Sequence, residues 1–266
     1  MLKFTANLSL LFSEAALIDR FKAAKQQGFN GVEIQFPYSL SAESIRTALQ
    51  ENELQLVLFN VDADDLLQGG EGLACVPEKR GQFRSAVEQA LGYAQILKPE
   101  ALNVLPGRCF KQERLPEYLE TFNDNLSFAA GAFAALGIKT VFEAINTLDM
   151  PGFIIHSGRQ MLDTLEQLNC ANLFMQYDVY HLYRMGENPA EFISRHADKI
   201  GHIQFADSPG RGQPGTGQID FDELFSSIEQ SAYTGWVGAE YKPVVTTDDS
   251  LGWFHQYRIL TALRQL

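Results

Sequence analysis

The 266-residue chain is poor in cysteine, in positive charge and in long apolar runs. Its three cysteines, Cys75, Cys109 and Cys170, are odd in number and form no CxxC pair. That excludes a disulfide framework and a zinc ribbon, and predicts reduced thiols in a cytoplasmic protein. Lys and Arg total 21 against 33 Asp and Glu, a net charge of −12. No broad basic footprint is left for a phosphate backbone or an anionic membrane, so neither nucleic acid nor membrane is an expected partner. No stretch reaches the ~20 apolar residues of a membrane span. In the first seventeen residues a Lys precedes an apolar stretch, but Asn7, Ser9 and Ser13 interrupt it and Glu14 closes it. Its alternation predicts a strand rather than a leader. No GxGxxG follows that strand, which disfavours a dinucleotide fold.

What is present is a repeating order of elements. Hydrophobic residues make up 45% and charged residues 20%, a globular mix without linker or low-complexity tract. Strands are predicted over 4–8, 31–36, 54–59, 101–105, 139–143, 173–178, 200–206 and 236–240. Helices are predicted over 14–27, 41–51, 77–97, 115–136, 157–168, 189–198, 220–230 and 250–265, with Ser13, Ser41 and Asp220 as N-caps. Residues 62–76, with Gly69, Gly70 and Gly72, read as a long loop. Strict βα alternation implies right-handed crossovers and a parallel sheet. Eight such units in this length predict an α/β fold, a (β/α)8 TIM barrel, as one domain over 1–266.

In such a barrel chemistry belongs where strands end. Strand five ends at Glu143, strand six at Asp178, strand seven carries Gln204, and strand eight ends at Glu240. Carboxylates at the ends of apolar strands are costly unless paired. Glu143, Asp178, Gln204 and Glu240 together offer a hard, all-oxygen site suited to Mg²⁺ or Mn²⁺ rather than zinc. Each acid alone could instead cap a helix. Glu143 and Glu240 lie across the barrel mouth, where one carboxylate could take a proton and the other return it. His181, three residues past Asp178, is placed to orient a substrate oxygen or to bond backbone. His202 shares a face with Gln204, one layer deeper. Asp207 closes the same strand. Arg211 lies in the Gly- and Pro-rich loop SPGRGQPGTGQID, which reads as a lid. Lys242 could hold a substrate carboxylate or pair with Glu240. His156, His196 and His255 suggest no role.

The segments FTANLSLLF, GFNGVEIQFPY, FEAIN…DMPGF, QYDVYH, GHIQFAD…GRGQPGTGQID and GWVGAEYKP occur in this order along nearly the whole chain. In them the chain resembles the hydroxypyruvate isomerase family of xylose-isomerase-like barrels. The resemblance implies a metal held by Glu143, Asp178, Gln204 and Glu240, with Glu143 and Glu240 also exchanging the proton. It implies substrate contacts from His181 and Arg211, and places Asn7 and Glu33 at the barrel mouth. The implied reaction interconverts hydroxypyruvate and tartronate semialdehyde, so the partner is a small 2-oxo or hydroxy acid. Barrels often dimerise, which leaves a homo-oligomer open. Strand three ends in Phe59-Asn60 where relatives often carry His-Asn, and 2-oxo-tetronate isomerases share nearly the same motifs. An apurinic-site endonuclease on the same barrel would need more histidine than five and less negative charge. A sugar-binding protein would need no paired glutamates.

Overall fold

A computed structural model describes residues 1–264, and the helix end predicted at Gln265 lies outside the described residues. Eight parallel strands close into a barrel among the described residues: β1 (Lys3–Asn7), β2 (Gly31–Ile34), β3 (Gln55–Asn60), β4 (Ala101–Val104), β5 (Lys139–Glu143), β6 (Leu173–Asp178), β7 (Ile200–Phe205) and β8 (Trp236–Ala239). β1 pairs with both β2 and β8, so no edge strand remains open. The helices are α1 (Leu17–Gln26), α2 (Ala42–Glu51), α3 (Arg80–Leu97), α4 (Leu115–Ala134), α5 (Gly158–Leu168), α6 (Val179–Arg184), α7 (Pro189–His196), α8 (Phe221–Gln230) and α9 (Gly252–Arg264). No helix among them is long and apolar enough to cross a membrane.

Both faces of the strands are buried, as expected where helices cover a parallel sheet. In β3, Leu56 and Leu58 are sealed, but so are Val57 and Phe59 on the opposite face. The seam of the barrel is closed by rings. Phe4 of β1 meets Trp253, Phe254 and Tyr257 of α9 edge-on at 5.0–5.9 Å. Such pairs contribute about 0.5–1.5 kcal/mol each beyond their area.

Two expected elements differ. The first helix begins at Leu17 with Ala16 as its N-cap, not at Glu14 with Ser13, because residues 8–14 form turns. The β6–β7 connection holds a second short helix, α6, in addition to α7. Its cause is local: the Asp178 carboxylate accepts the His181 N–H at 3.1 Å and caps the turn.

Candidate active site

Register puts the polar side chains in tiers. Glu143 lies opposite Gln176 and Asp178 opposite Gln204. Asn7 lies opposite Glu33, and Asn60 opposite Asn103. Ladder shifts at Val32/Glu33 and Met175/Gln176 occur where polar residues turn inward, as bulges beside active sites commonly do.

Glu143 accepts from Asn103 Nδ2 at 3.2 Å and Gln176 Nε2 at 2.9 Å, both on Oε2. Among the described residues no Lys or Arg side chain bonds it. Burial, then the charges of Glu240 and Asp178, push its carboxyl well above the usual range. Asp178 is also pushed up, chiefly by burial, and its Oδ2 is buried without a hydrogen-bond partner. Glu240 accepts at Oε1 from Asn7 at 2.9 Å and Gln35 at 3.0 Å, and at Oε2 from Arg211 Nη2 at 2.7 Å. Burial raises Glu240 to about 7 although Arg211 pulls the other way.

His181 is carried back over the site by α6. Its Nε2 lies 3.9 Å from Glu143 Oε1 and 3.9 Å from Asp178 Oδ2. Glu143, Asp178 and His181 each offer an atom within 4.8 Å of the others. Burial, helped by Arg211 and Arg184, holds the imidazole well below its usual pKa, so it is neutral. Its Nδ1 faces Asn146 Nδ2 at 2.7 Å, while Asn146 Oδ1 takes the Asp149 N–H. The amide therefore donates to Nδ1, and the ring proton sits on Nε2, facing the carboxylates.

Arg211 is set by its loop. The Asp207 carboxylate gathers the N–H groups of Ser208, Gly215, Gly217 and Ile219. Arg211 itself adopts φ +56°, left-handed backbone unusual for a side-chain-bearing residue and a mark of functional sites. Its guanidinium lies 5.3 Å over the Tyr180 ring. Lys242 does not join the site. Its side chain is exposed, and its contribution is a backbone N–H donated to the Arg211 carbonyl at 2.8 Å. β8 ends at Ala239 and the chain turns away, so inward alternation does not extend to 242.

Glu143, His181, Arg211 and Glu240 line one cavity of about 140 Å³, with Gln35, Asn60 and Asp149. Phe36, Leu67, Leu105, Ile145 and Met150 supply its apolar wall. Asp178 and Gln204 lie outside this lining. Gln204 donates to Glu33 at 2.5 Å and accepts from Gln176 at 2.6 Å. The amides Asn103, Asn146 and Gln176 were missed in the sequence. The available signal was an amide inside an apolar strand, as in ALNV and LFMQYD, since a buried polar group needs partners.

Residues 21–257 match the model of the xylose isomerase-like TIM barrel family. A hydroxypyruvate isomerase of Escherichia coli is 42% identical, covering 97% of this chain and 100% of its own. A 2-oxo-tetronate isomerase of Cupriavidus necator is 36% identical, covering 97% and 99%. The solved structure titled AP endonuclease, family 2, from Brucella melitensis superposes with TM-score 0.93 at 35% identity, covering 97% and 99%. These matches cover both the strands and the loops that carry the cavity residues, and the chain belongs to the xylose isomerase-like TIM barrel family, among relatives named hydroxypyruvate isomerase and 2-oxo-tetronate isomerase.

Proposed function

We propose that the protein is an aldose–ketose isomerase of short 2-oxo acids, interconverting hydroxypyruvate and tartronate semialdehyde. The observation that carries this reading is the facing pair Glu143 and Glu240 on one small cavity, both with raised carboxyl pKa values. A group near 7 can both give and take a proton at neutral pH. One carboxylate takes a proton from C3 of hydroxypyruvate and the other delivers one to C2, through an enediolate, while the hydroxyl proton passes from O3 to O2. His181 Nε2–H and Arg211 donate to substrate oxygens and fix the plane in which this happens. The apolar wall keeps bulk water from the carbanion-like carbon.

The residues fit a divalent cation. Asp178 Oδ2 is buried and unpartnered beside Glu143, with no cation between them, a costly arrangement that a metal ion would relieve. Glu143 and Asp178 would hold it, with Gln204 and Glu240 completing an oxygen set suited to Mg²⁺ or Mn²⁺. His181 fits ligation less well, because a ligating imidazole usually donates its second ring N–H to an acceptor, whereas Nδ1 here meets a donor. A bound ion would polarise the carbonyl and stabilise negative charge developing on its oxygen.

The cavity size supports a short substrate. About 140 Å³ is well under the ~300 Å³ where drug-sized pockets begin. The relative named 2-oxo-tetronate isomerase makes a four-carbon acid the second candidate. The Brucella structure's title raises a nuclease, but a cavity this small with net charge −12 does not suit a DNA duplex. The test is incubation with Mg²⁺ and hydroxypyruvate, 2-oxo-tetronate or an abasic duplex. Formation of tartronate semialdehyde supports the reading. Turnover of the four-carbon acid alone moves the substrate, and strand cleavage alone overturns the class.

A further inference from the structure

Beneath the cavity Glu33 is completely buried at the barrel centre. Both its oxygens are engaged: Oε1 accepts from Thr5 Oγ1 and His202 Nε2, and Oε2 accepts from Gln204 Nε2 at 2.5 Å, with Asn7 Nδ2 at 3.5 Å. A Cβ at Gly238 of β8 would run into this carboxylate, so β8, two strands round the barrel, leaves it room. The β2–β3 ladder also shifts at Val32/Glu33. A buried charge is an expensive way to fill a barrel, since apolar side chains of similar volume are often at least as stabilising. The glutamate is therefore best explained by what it does to its neighbours.

We propose that Glu33 is a positioning residue that fixes which way the Gln204 amide points. A carboxylate accepts and cannot donate. With Glu33 ionised, the Gln204 NH₂ must face it, at 2.5 Å, while that same group reaches Glu240 Oε1 at 3.4 Å. The flipped amide would set its oxygen against two carboxylates. The Gln204 oxygen is thereby turned toward Gln176, whose NH₂ also holds Glu143 at 2.9 Å. His202 lies 2.9 Å from Glu33 and, facing a pure acceptor, donates to it from Nε2. One negative charge thus orders a chain of amides that runs beneath both proton-handling glutamates and presents the Gln204 oxygen on the side of Glu143. Glutamine at position 33 could donate as well as accept, so either amide orientation would be allowed.

The inference rests on the proposed reaction only where turnover is read. The experiment is a double-variant cycle of Glu33→Gln and Gln204→Ala, read by kcat, by KM and, without substrate, by Mn²⁺ affinity in electron paramagnetic resonance titration. Glu33→Gln is expected to lower kcat and Mn²⁺ affinity about 10-fold or more, as lost supporting partners of metal ligands do, with KM changed less than about 3-fold. In the Gln204→Ala background the same substitution should cost almost nothing, because it acts through Gln204. Equal losses in both backgrounds, or wild-type values for Glu33→Gln, overturn the inference. A non-additive Mn²⁺ cycle in a protein that does not turn over hydroxypyruvate refutes the substrate and leaves the positioning role standing. Should Glu33→Gln fail to fold by circular dichroism, Glu33→Asp, which keeps the charge but withdraws it, goes through the same cycle.

Discussion

The two sides of the barrel mouth each present a buried glutamate, and they are built differently. Glu240 has a cation: Arg211 bonds it at 2.7 Å, and Asn7 and Gln35 serve its other oxygen. Glu143 has only neutral amides, and its close charged neighbour is another carboxylate, Asp178. Burial acts on both. On one side the protein itself supplies much of the compensating charge, and the carboxyl rises only to about 7. On the other side no cation bonds the carboxylate, Arg211 acts on it only through space, and burial with the neighbouring carboxylates pushes it well above its usual range. The contrast teaches where an added cation is needed. The Glu143–Asp178 side is short of positive charge, and the Glu240 side is already served.

Removing the charge from the deficient side should have the largest effect. Glu143→Gln is expected to lower kcat by about 10³-fold, within the range for a lost general acid or base, and to weaken Mg²⁺ binding while circular dichroism stays unchanged. Near-normal turnover would break the contrast at its root.

The metal-free protein provides the next test. Glu143, Asp178 and Glu240 bind protons more tightly folded than unfolded. Their contribution to stability is full below the unfolded values near 4 and is lost as pH rises through about 7. Glu33 and Asp149, held below their usual values, work in the opposite direction at lower pH. Thermal melts with chelator should therefore show Tm falling between about pH 5 and about pH 8. Mg²⁺ at about 100 times its Kd should return about 2.7 kcal/mol at pH 8. A Tm indifferent to Mg²⁺ would place the compensating charge elsewhere.

Arg211→Met removes the cation from the served side. It is expected to cost about 10- to 100-fold in kcat/KM, the scale of a charge-assisted hydrogen bond, and to move the acid limb of the pH–rate profile upward, since Arg211 holds Glu240 down. A smaller effect is expected from Leu105→Ala. Widening the apolar wall should shift preference toward a four-carbon acid by about 10-fold, the low end of what one hydrophobic truncation does.

Much of this arrangement was legible in the sequence, and the reasons are specific. The barrel followed from strict alternation of strands and helices, which only a parallel sheet accommodates. Glu143, Asp178 and Glu240 stood out because a carboxylate at the end of an apolar strand demands a reason. The amides beneath them did not stand out. Gln176 and Asn103 matter through cross-strand register, and a one-residue ladder shift such as that at Met175/Gln176 is invisible to a period-two pattern. His181 was read as a group orienting a substrate oxygen or bonding backbone, and the helix started by the Asp178 cap, which carries it over the carboxylates, was not foreseen. Lys242 looked well placed two residues past Glu240, but the strand ends at Ala239 and its side chain faces solvent. Arg211 was recognisable by its loop, while the left-handed backbone that aims it depends on Asp207 gathering four N–H groups.

The central claim is that two glutamates on opposite sides of one small cavity move a carbon-bound proton. Proton NMR of hydroxypyruvate in D₂O, with Mg²⁺ and wild-type protein or its Glu143→Gln variant, tests it most directly. Deuterium at C2 of the product and an aldehyde-hydrate signal with wild type, both lost in the variant and both lost with chelator, is the result the account predicts. Isomerisation undiminished in Glu143→Gln, or a wild-type protein that binds Mg²⁺ yet exchanges no carbon-bound proton in three- or four-carbon 2-oxo acids, would contradict it.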